Sequence, residues 1–155
     1  MPDFSDLSKL EEYLLNKIEK VMINEVADVI KKEESKQIKR YYQQFRPKMY
    51  ERREDNGGLS DIRNMRVKPP RRYKHSVSVT ITNETKGNRE FSDNPTNDLD
   101  KVFATGLGYD YHGETSKYYE RPRPANEDAC EELNHNRRVV SELIAGLQKE
   151  GIQCE

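Results

Sequence analysis

The stretch DLSKLEEYLLNKIEKVMINEVADVI, residues 6–30, sets the architecture of the amino-terminal part of the chain. Its apolar residues recur at steps of three and four, the spacing that places side chains on one stripe of an α-helix. Ser5 or Asp6 can cap the start, because their side-chain oxygens accept hydrogen bonds from the free amides of the first turn. The sequence therefore predicts a long amphipathic helix over about 6–42.

The distal part of this helix is polar. After Ile30 the apolar stripe fades into KKEESKQIKR, residues 31–40, and neither Pro nor Gly interrupts the chain before Pro47. We therefore expect the helix to continue, with an end that is a solvated extension or packs on something outside the monomer.

Residues 76–82, SVSVTIT, alternate strictly between apolar and hydroxyl side chains. This period of two is typical of a half-buried antiparallel strand, with Val77, Val79 and Ile81 on one face. NETKGN, residues 83–88, should form a turn. The weaker signals that follow favour a strand or two and a short helix in DLDKVFATG, ended by Gly106. We predict a β region over about 76–121.

The carboxy-terminal part begins with RPRP, residues 121–124, which favours an extended backbone. Beyond it a second helical stripe predicts a helix over about 126–150, with Asn126 as its cap and Gly151 as its stop. The expected fold class is α/β, of the α+β kind: two helices pack on a small, mostly antiparallel sheet.

Between the first helix and the strand, residues of about 45–75 lack a sustained period and contain three prolines and two glycines. Asn56-Gly57 is a strong turn signal, because both residues accept a positive φ at little cost. We interpret this segment as a long connector with turns rather than one regular element, and as a projecting loop. With 155 residues the chain is expected to form one domain, 1–155.

The composition describes a thin core. Hydrophobic residues are 33% and charged residues 35% of the chain, and the mean hydropathy is -1.09. Residues 36–83 carry 13 basic and 4 acidic side chains, whereas 1–35 and 84–155 are both net acidic. Such a chain can bind nucleic acid, or the basic middle of one copy can meet the acidic flanks of another.

Catalytic and metal-binding motifs are not recognisable. His75, His112 and His135 lie in separate segments without a metal-ligand spacing, and no Ser has a nucleophile-elbow context. Cys130 and Cys154 are interpreted as reduced thiols without a metal role. We expect no enzyme, no metal and no cofactor. The absence of a long apolar run predicts no membrane span, and the chain should be cytosolic when made.

Two functions remain open from the residues alone. A basic, aromatic segment over 40–75 suits a small nucleic-acid-binding protein, since cations neutralise phosphates and tyrosines stack on bases. The same residue types dominate protein interfaces, so an assembly module is equally consistent. The basic residues that would face DNA are Arg63, Arg66, Lys68, Arg71 and Arg72.

The segment F-x-P-K-M-Y-E-R-R-x-x-N-G-G-L-x-D-x-x-N, residues 45–64, resembles the hallmark of neck or tail-completion proteins of tailed bacteriophages, the putative tail-component family of head-tail connectors. GLGYDYHG, residues 106–113, and PRP, residues 122–124, before a helix ending in LQKEGI, agree in order and spacing. The resemblance covers most of the chain beyond about residue 40.

The resemblance implies a structural virion protein without chemistry of its own, located in the head-tail neck. Copies would assemble as a ring of six or twelve between a portal or head-completion adaptor and a tail terminator or tail-tube protein. Packaged DNA would be a further partner, contacted without sequence specificity, and no membrane is involved.

The loop would then dock on an adjacent subunit or the next ring. Replacement of Gly57 and Gly58 by valine should leave the fold intact and prevent the joining of heads to tails. The predicted interface residues are Pro47, Tyr50, Arg52, Arg53, Asn56, Gly57, Gly58 and Leu59.

Overall fold

The computed structural model describes residues 6–44, 46, 51–87, 99–106 and 121–154. Its regular elements, in chain order, are α1 (Leu7–Val21), a π-helical turn (Met22–Val26), α2 (Ala27–Gln43), a 3-10 turn (Ile62–Asn64), β1 (Met65–Val67), β2 (Arg71–Tyr73), β3 (Ser76–Ser78), β4 (Ile81–Asn83), α3 (Leu99–Thr105), α4 (Ala125–His135) and α5 (Arg138–Lys149). The described elements thus combine helices with small antiparallel ladders, which confirms the α+β class.

The predicted first helix is present as α1 and α2 joined by the π-helical turn, in which the backbone stays right-handed and Ala27 N–H donates to the Met22 carbonyl. Asp6 is its cap, since the carboxylate accepts from Ser8 N–H at 2.9 Å. At 1.5 Å per residue the whole helix is about 55 Å long.

The strands form one interrupted hairpin, in which β1 pairs with β4 and β2 pairs with β3. Three residues separate β1 from β2, but only two separate β3 from β4, so the first half of the hairpin holds one extra residue. That residue lies at Pro69-Pro70, whose nitrogens cannot donate to a ladder. Lys68 N–H still donates to the Thr80 carbonyl at 2.8 Å.

This hairpin corrects two predictions. The segment 76–82 is not a single strand: the half-buried alternation is present, but the ladder breaks at Val79 and Thr80, where the facing chain contains the prolines. The predicted loop over 45–75 also contains the strands β1 and β2, although the β region was expected to start at about 76. The sheet therefore begins earlier than residue 76.

The predicted carboxy-terminal helix is divided into α4 and α5. Arg137, with a φ of 52°, occupies the left-handed region and turns the chain between them, while Asn136 Oδ1 accepts from Arg138 N–H at 3.0 Å. Pro124 rather than Asn126 occupies the cap position of α4. The short helix ended by Gly106 and the stop at Gly151 are confirmed, and both glycines have a positive φ.

Two apolar clusters lie along the long helix. One joins α2, α3 and α4 to the base of the hairpin, and the other joins the π-helical turn to α5. The buried members of the first are Ile38, Leu59, Met65, Phe103 and Ala125, and those of the second are Val21, Val26 and Leu147. The polar distal end of the helix therefore packs within the chain, since Ile38 is fully buried.

Candidate functional site

The turn segment, residues 51–64, is the described part of the predicted interface loop, and it folds back onto its own chain instead of projecting. Arg52 lies over the ring of Tyr42, 4.5 Å from its centre, and donates to the Tyr42 carbonyl at 2.8 Å. Arg53 donates to the Lys86 carbonyl at 2.5 Å. Both arginines therefore brace the segment between the end of α2 and the residues after β4.

The glycine turn is tightly constrained. Asn56 N–H donates to the Arg53 carbonyl, and Gly58 N–H donates to the Glu54 carbonyl at 2.9 Å. Gly57 has a φ of 82°, and a Cβ on Gly58 would lie 2.5 Å from the backbone N and O of Glu54. The expectation that valine at both positions leaves the fold intact is therefore wrong, because the valine at 58 would collide with rigid backbone.

After the turn the chain enters the core. Leu59 and Ser60 are buried, at 1% and 0% exposure, so Leu59 is a core residue and its side chain is not open to a neighbouring subunit. Ser35 Oγ donates to the Ser60 carbonyl at 2.6 Å, and Asn83 Nδ2 donates to the Leu59 carbonyl at 2.8 Å. The segment is thus attached to both α2 and β4.

Asp61 is the electrostatic centre of the turn segment. Its carboxylate accepts from the guanidinium of Arg63, with the shortest contact at 2.7 Å, and from the backbone N–H groups of Arg63 and Gly57. These donors, the Arg63 guanidinium foremost, hold the pKa of Asp61 well below its usual range even though the carboxyl is buried. The charged Asp61 carboxylate thus links the glycine turn to the Arg63 side chain.

Asn64 joins the turn segment to the hairpin. Its amide donates to the Gly58 carbonyl at 3.0 Å and to Thr85 Oγ1 at 3.2 Å, while Glu84 N–H donates to the Asn64 carbonyl. Three motif residues, Leu59, Asp61 and Asn64, therefore stabilise the backbone conformation of the turn segment. The motif thus has a structural role within the chain.

Sequence reasoning missed a buried polar layer beneath this segment. Glu33 and Glu34 are only 2% and 8% exposed, although their stretch was interpreted as solvated or as packing outside the monomer. Asn83 Nδ2 lies 3.4 Å from Glu34 Oε1. The available signal was the spacing of Ile30, Glu34 and Ile38, which places the glutamate on the apolar stripe.

The predicted DNA-facing residues divide into two groups. Arg63, Lys68 and Arg72 are paired within the chain, with Asp61, Glu84 and Glu19 respectively. Arg66 and Arg71 are exposed on the hairpin. The structure therefore does not bring all five together as one open basic surface.

Two predicted interface residues, Pro47 and Tyr50, lie outside the described residues, as does GLGYDYHG beyond Gly106. In the part of the chain that the structure describes, no group of three or more His, Cys, Asp or Glu side chains could hold a metal ion. No described helix has both the length and the apolar character needed to cross a membrane.

Comparison with known proteins gives one match. The model of the family described as YomN matches residues 6–149, nearly the whole chain. The match indicates a phage-associated protein. Among curated proteins and solved structures, nothing matches the chain significantly.

Proposed function

The chain belongs to the YomN family, and on this premise we propose that it is a non-catalytic structural protein of a phage particle. It forms a ring in the neck and joins the DNA-filled head to the tail. The observation that carries the proposal is the motif over residues 45–64, which resembles the hallmark of neck and tail-completion proteins.

The contacts of the motif support a structural role. Asp61 binds the turn of Gly57, Asn64 binds Gly58 and Thr85, and Leu59 fills the core. These side chains stabilise one backbone path between the long helix and the hairpin. A motif used in this way supplies a rigid platform from which the loop can meet a neighbour.

The partners follow from the position in the particle. Copies of the chain form the ring, six or twelve in number, with a portal or head-completion adaptor on one side and a tail terminator or tail-tube protein on the other. The opposed charges of the middle and the flanks suit contacts that repeat from copy to copy.

The test is deletion of the gene from the phage or prophage that encodes it. We expect DNA-filled heads and separate tails in electron micrographs, and joined particles after complementation with the unchanged gene. Joined, infectious particles without the chain would contradict the proposal. So would purified particles in which mass spectrometry detects no trace of it.

A second candidate function, nucleic-acid binding, is favoured by the exposed part of the hairpin. Arg66 and Arg71 are exposed there, and the Tyr73 side chain is 56% exposed. If this surface binds duplex DNA, affinity should fall steeply with salt, and Arg66→Ala with Arg71→Ala should reduce the slope of the log–log plot by roughly 2. Negligible binding at moderate salt would exclude this function.

A further inference from the structure

A groove with a volume of about 540 Å³ lies between the last turns of α2 and one face of α4. Its acidic groups are Asp128, Glu131 and Glu132 on α4, its cationic group is Arg40, and His135 also lines it. The Asp128 carboxylate accepts from the Tyr41 hydroxyl at 2.6 Å. Within the described ranges, Glu131 and Glu132 have no ion-pair partner, so the groove has acidic charge to offer a ligand.

Gln37, which lines the same groove, adds a second observation. The residue is only 4% exposed, and its Nε2 donates to Glu33 Oε1 at 2.8 Å. Because a carboxylate only accepts, this contact assigns the amide nitrogen to Glu33 and leaves Oε1 on the other side. Gln37 Oε1 is buried and finds no donor among the described residues. An unpaired buried oxygen costs stability, and a donor that reaches it would remove that cost.

The ligand that satisfies both features is a side chain that carries a positive charge and N–H donors. Arginine and lysine are the two side chains of this kind, and arginine can bind a carboxylate through two parallel hydrogen bonds. Such a side chain can pair with Glu131 or Glu132, and its N–H groups are donors of the kind that Gln37 Oε1 lacks.

Exposed cations of this kind occur at the hairpin tip, which consists of β2, β3 and the turn Lys74-His75 between them. Arg71 and Lys74 are both exposed. The tip lies beside the start of α1, where His75 pairs with Glu11. From Glu11 to Arg40 the helix rises about 44 Å. The tip of one chain is therefore remote from its own groove, whereas the tip of a second copy can approach it.

We propose that the groove between α2 and α4 receives the hairpin tip of a second copy, with Arg71 or Lys74 paired with Glu131 and Glu132. The two surfaces are unlike and lie at opposite ends of the long helix, so the contact repeats head to tail and generates a ring or an open filament. The inference rests on the proposed function in that this contact would build the neck ring.

Charge reversal tests the contact on the purified full-length chain. In sedimentation velocity, the tip variant Arg71→Glu/Lys74→Glu and the groove variant Glu131→Lys/Glu132→Lys should each lose the assemblies of the unchanged protein. An equimolar mixture should recover assemblies in which the two variants alternate. The reversed tip fits the reversed groove, and the unchanged tip of the groove variant fits the unchanged groove of the tip variant, whereas like variants repel each other. Circular dichroism melting curves establish that each variant is folded.

Glu142→Lys and Lys149→Glu on α5 are the matched controls, and both should assemble like the unchanged protein. A monomeric mixture of the folded tip and groove variants would overturn the inference. The inference would also be overturned if either charge reversal left assembly unchanged. The same holds if assembly depended on the groove charges but not on the tip charges.

The two proposals fail separately. If the charge-reversed pair does not associate but the gene is still required to join heads to tails, the neck function stands without this contact. If the pair associates and the gene is dispensable for joining, the contact stands without the neck function.

Discussion

Two adjacent glutamates on α2 are buried in opposite electrostatic surroundings. Burial raises the pKa of Glu34 to about 7, with a smaller contribution from the charge of Asp100 and an opposing one from Asn83. Burial also acts to raise the pKa of Glu33, but hydrogen bonds from Lys36 and Gln37, together with the charges of Lys36 and Arg138, outweigh it and lower the pKa. Glu33 therefore stabilises the fold as a charge, whereas Glu34 is better tolerated when protonated.

We expect Glu34→Gln to stabilise the protein in alkaline solution. The pKa of Glu34 is higher in the folded state than its ordinary 4.5. The contribution of Glu34 to the free energy of unfolding is therefore fully present below about pH 4.5 and is lost as the pH rises through about 7. At pH 8 the variant should gain on the order of 2–3 kcal/mol in free energy of unfolding, and at pH 4 almost nothing. Urea denaturation across this range measures the difference.

Glu33→Gln is the matched control, one position away and equally conservative. Because the pKa of Glu33 is lowered in the folded state, its carboxylate stabilises the fold above the ordinary pKa, and this stabilisation is lost as the pH falls. We expect this variant to be destabilised at pH 8 by about 1–3 kcal/mol. Equal, pH-independent effects of the two substitutions would contradict the assignment of opposite surroundings.

At the level of elements, the contact of α5 with the end of α1 depends on a missing side chain. A Cβ on Gly146 would lie 2.3 Å from Val21 Cγ1, and Val21 is fully buried. The helices can approach this closely only because glycine has no side chain at the contact. The carboxy-terminal helix is thereby packed on the π-helical turn region of the long helix.

We expect Gly146→Ala to destabilise the protein by about 1–3 kcal/mol, because it overpacks this contact. The direction of the change in stability is informative, since the same substitution in an unobstructed helix stabilises by about 1 kcal/mol. Adding Val21→Ala to Gly146→Ala should recover part of the loss, although Val21→Ala alone creates a cavity and destabilises. Thermal denaturation of the four proteins checks this coupling. Additive losses would show that the two side chains do not meet.

At the level of the whole molecule, the hairpin is attached to the long helix in two different ways. Its base is held by the apolar cluster that contains Met65 and Ile81. Its tip is held by exposed polar contacts, in which Arg72 binds Glu19 and Asn16, and His75 binds Glu11. Exposed ion pairs are worth about 0–1 kcal/mol each, so the tip should open far more readily than the base.

We expect Glu11→Gln combined with Glu19→Gln to accelerate amide hydrogen exchange in residues 71–78 and to leave residues 65–67 unchanged. High salt should act on the unchanged protein in the same direction, because it screens the tip contacts but not the apolar base. Asp28→Gln, an exposed acidic residue on α2, is the control and should leave the tip unchanged. Uniform acceleration along the whole hairpin would contradict this division.

Local rules were sufficient for much of the fold. The stripe of residues 6–30 and its Asp6 cap predicted the long helix, and the glycines at 106 and 151 predicted helix ends that are present. These features depend on neighbouring residues in the chain, so their physics is readable from short windows of sequence.

The site was less predictable, because its contacts join residues far apart in the chain. The side chains of Asn83, Ser35 and Thr85 donate to the carbonyls of Leu59, Ser60 and Gly58 respectively. No local sequence pattern predicts such pairs. The turn segment was therefore expected to project, although Asp61 pairs with Arg63 and Leu59 is buried within the chain.

The sequence by itself determined the α+β class, the long helix and the alternating strand residues, because these rest on periodicity and capping. Only the tertiary structure decided that the strand of 76–82 breaks opposite Pro69-Pro70, that Arg137 divides the last helix, and that Glu34 is buried. Each of these depends on which distant segment lies opposite, and that partner is chosen by packing and by the pairing of buried polar groups.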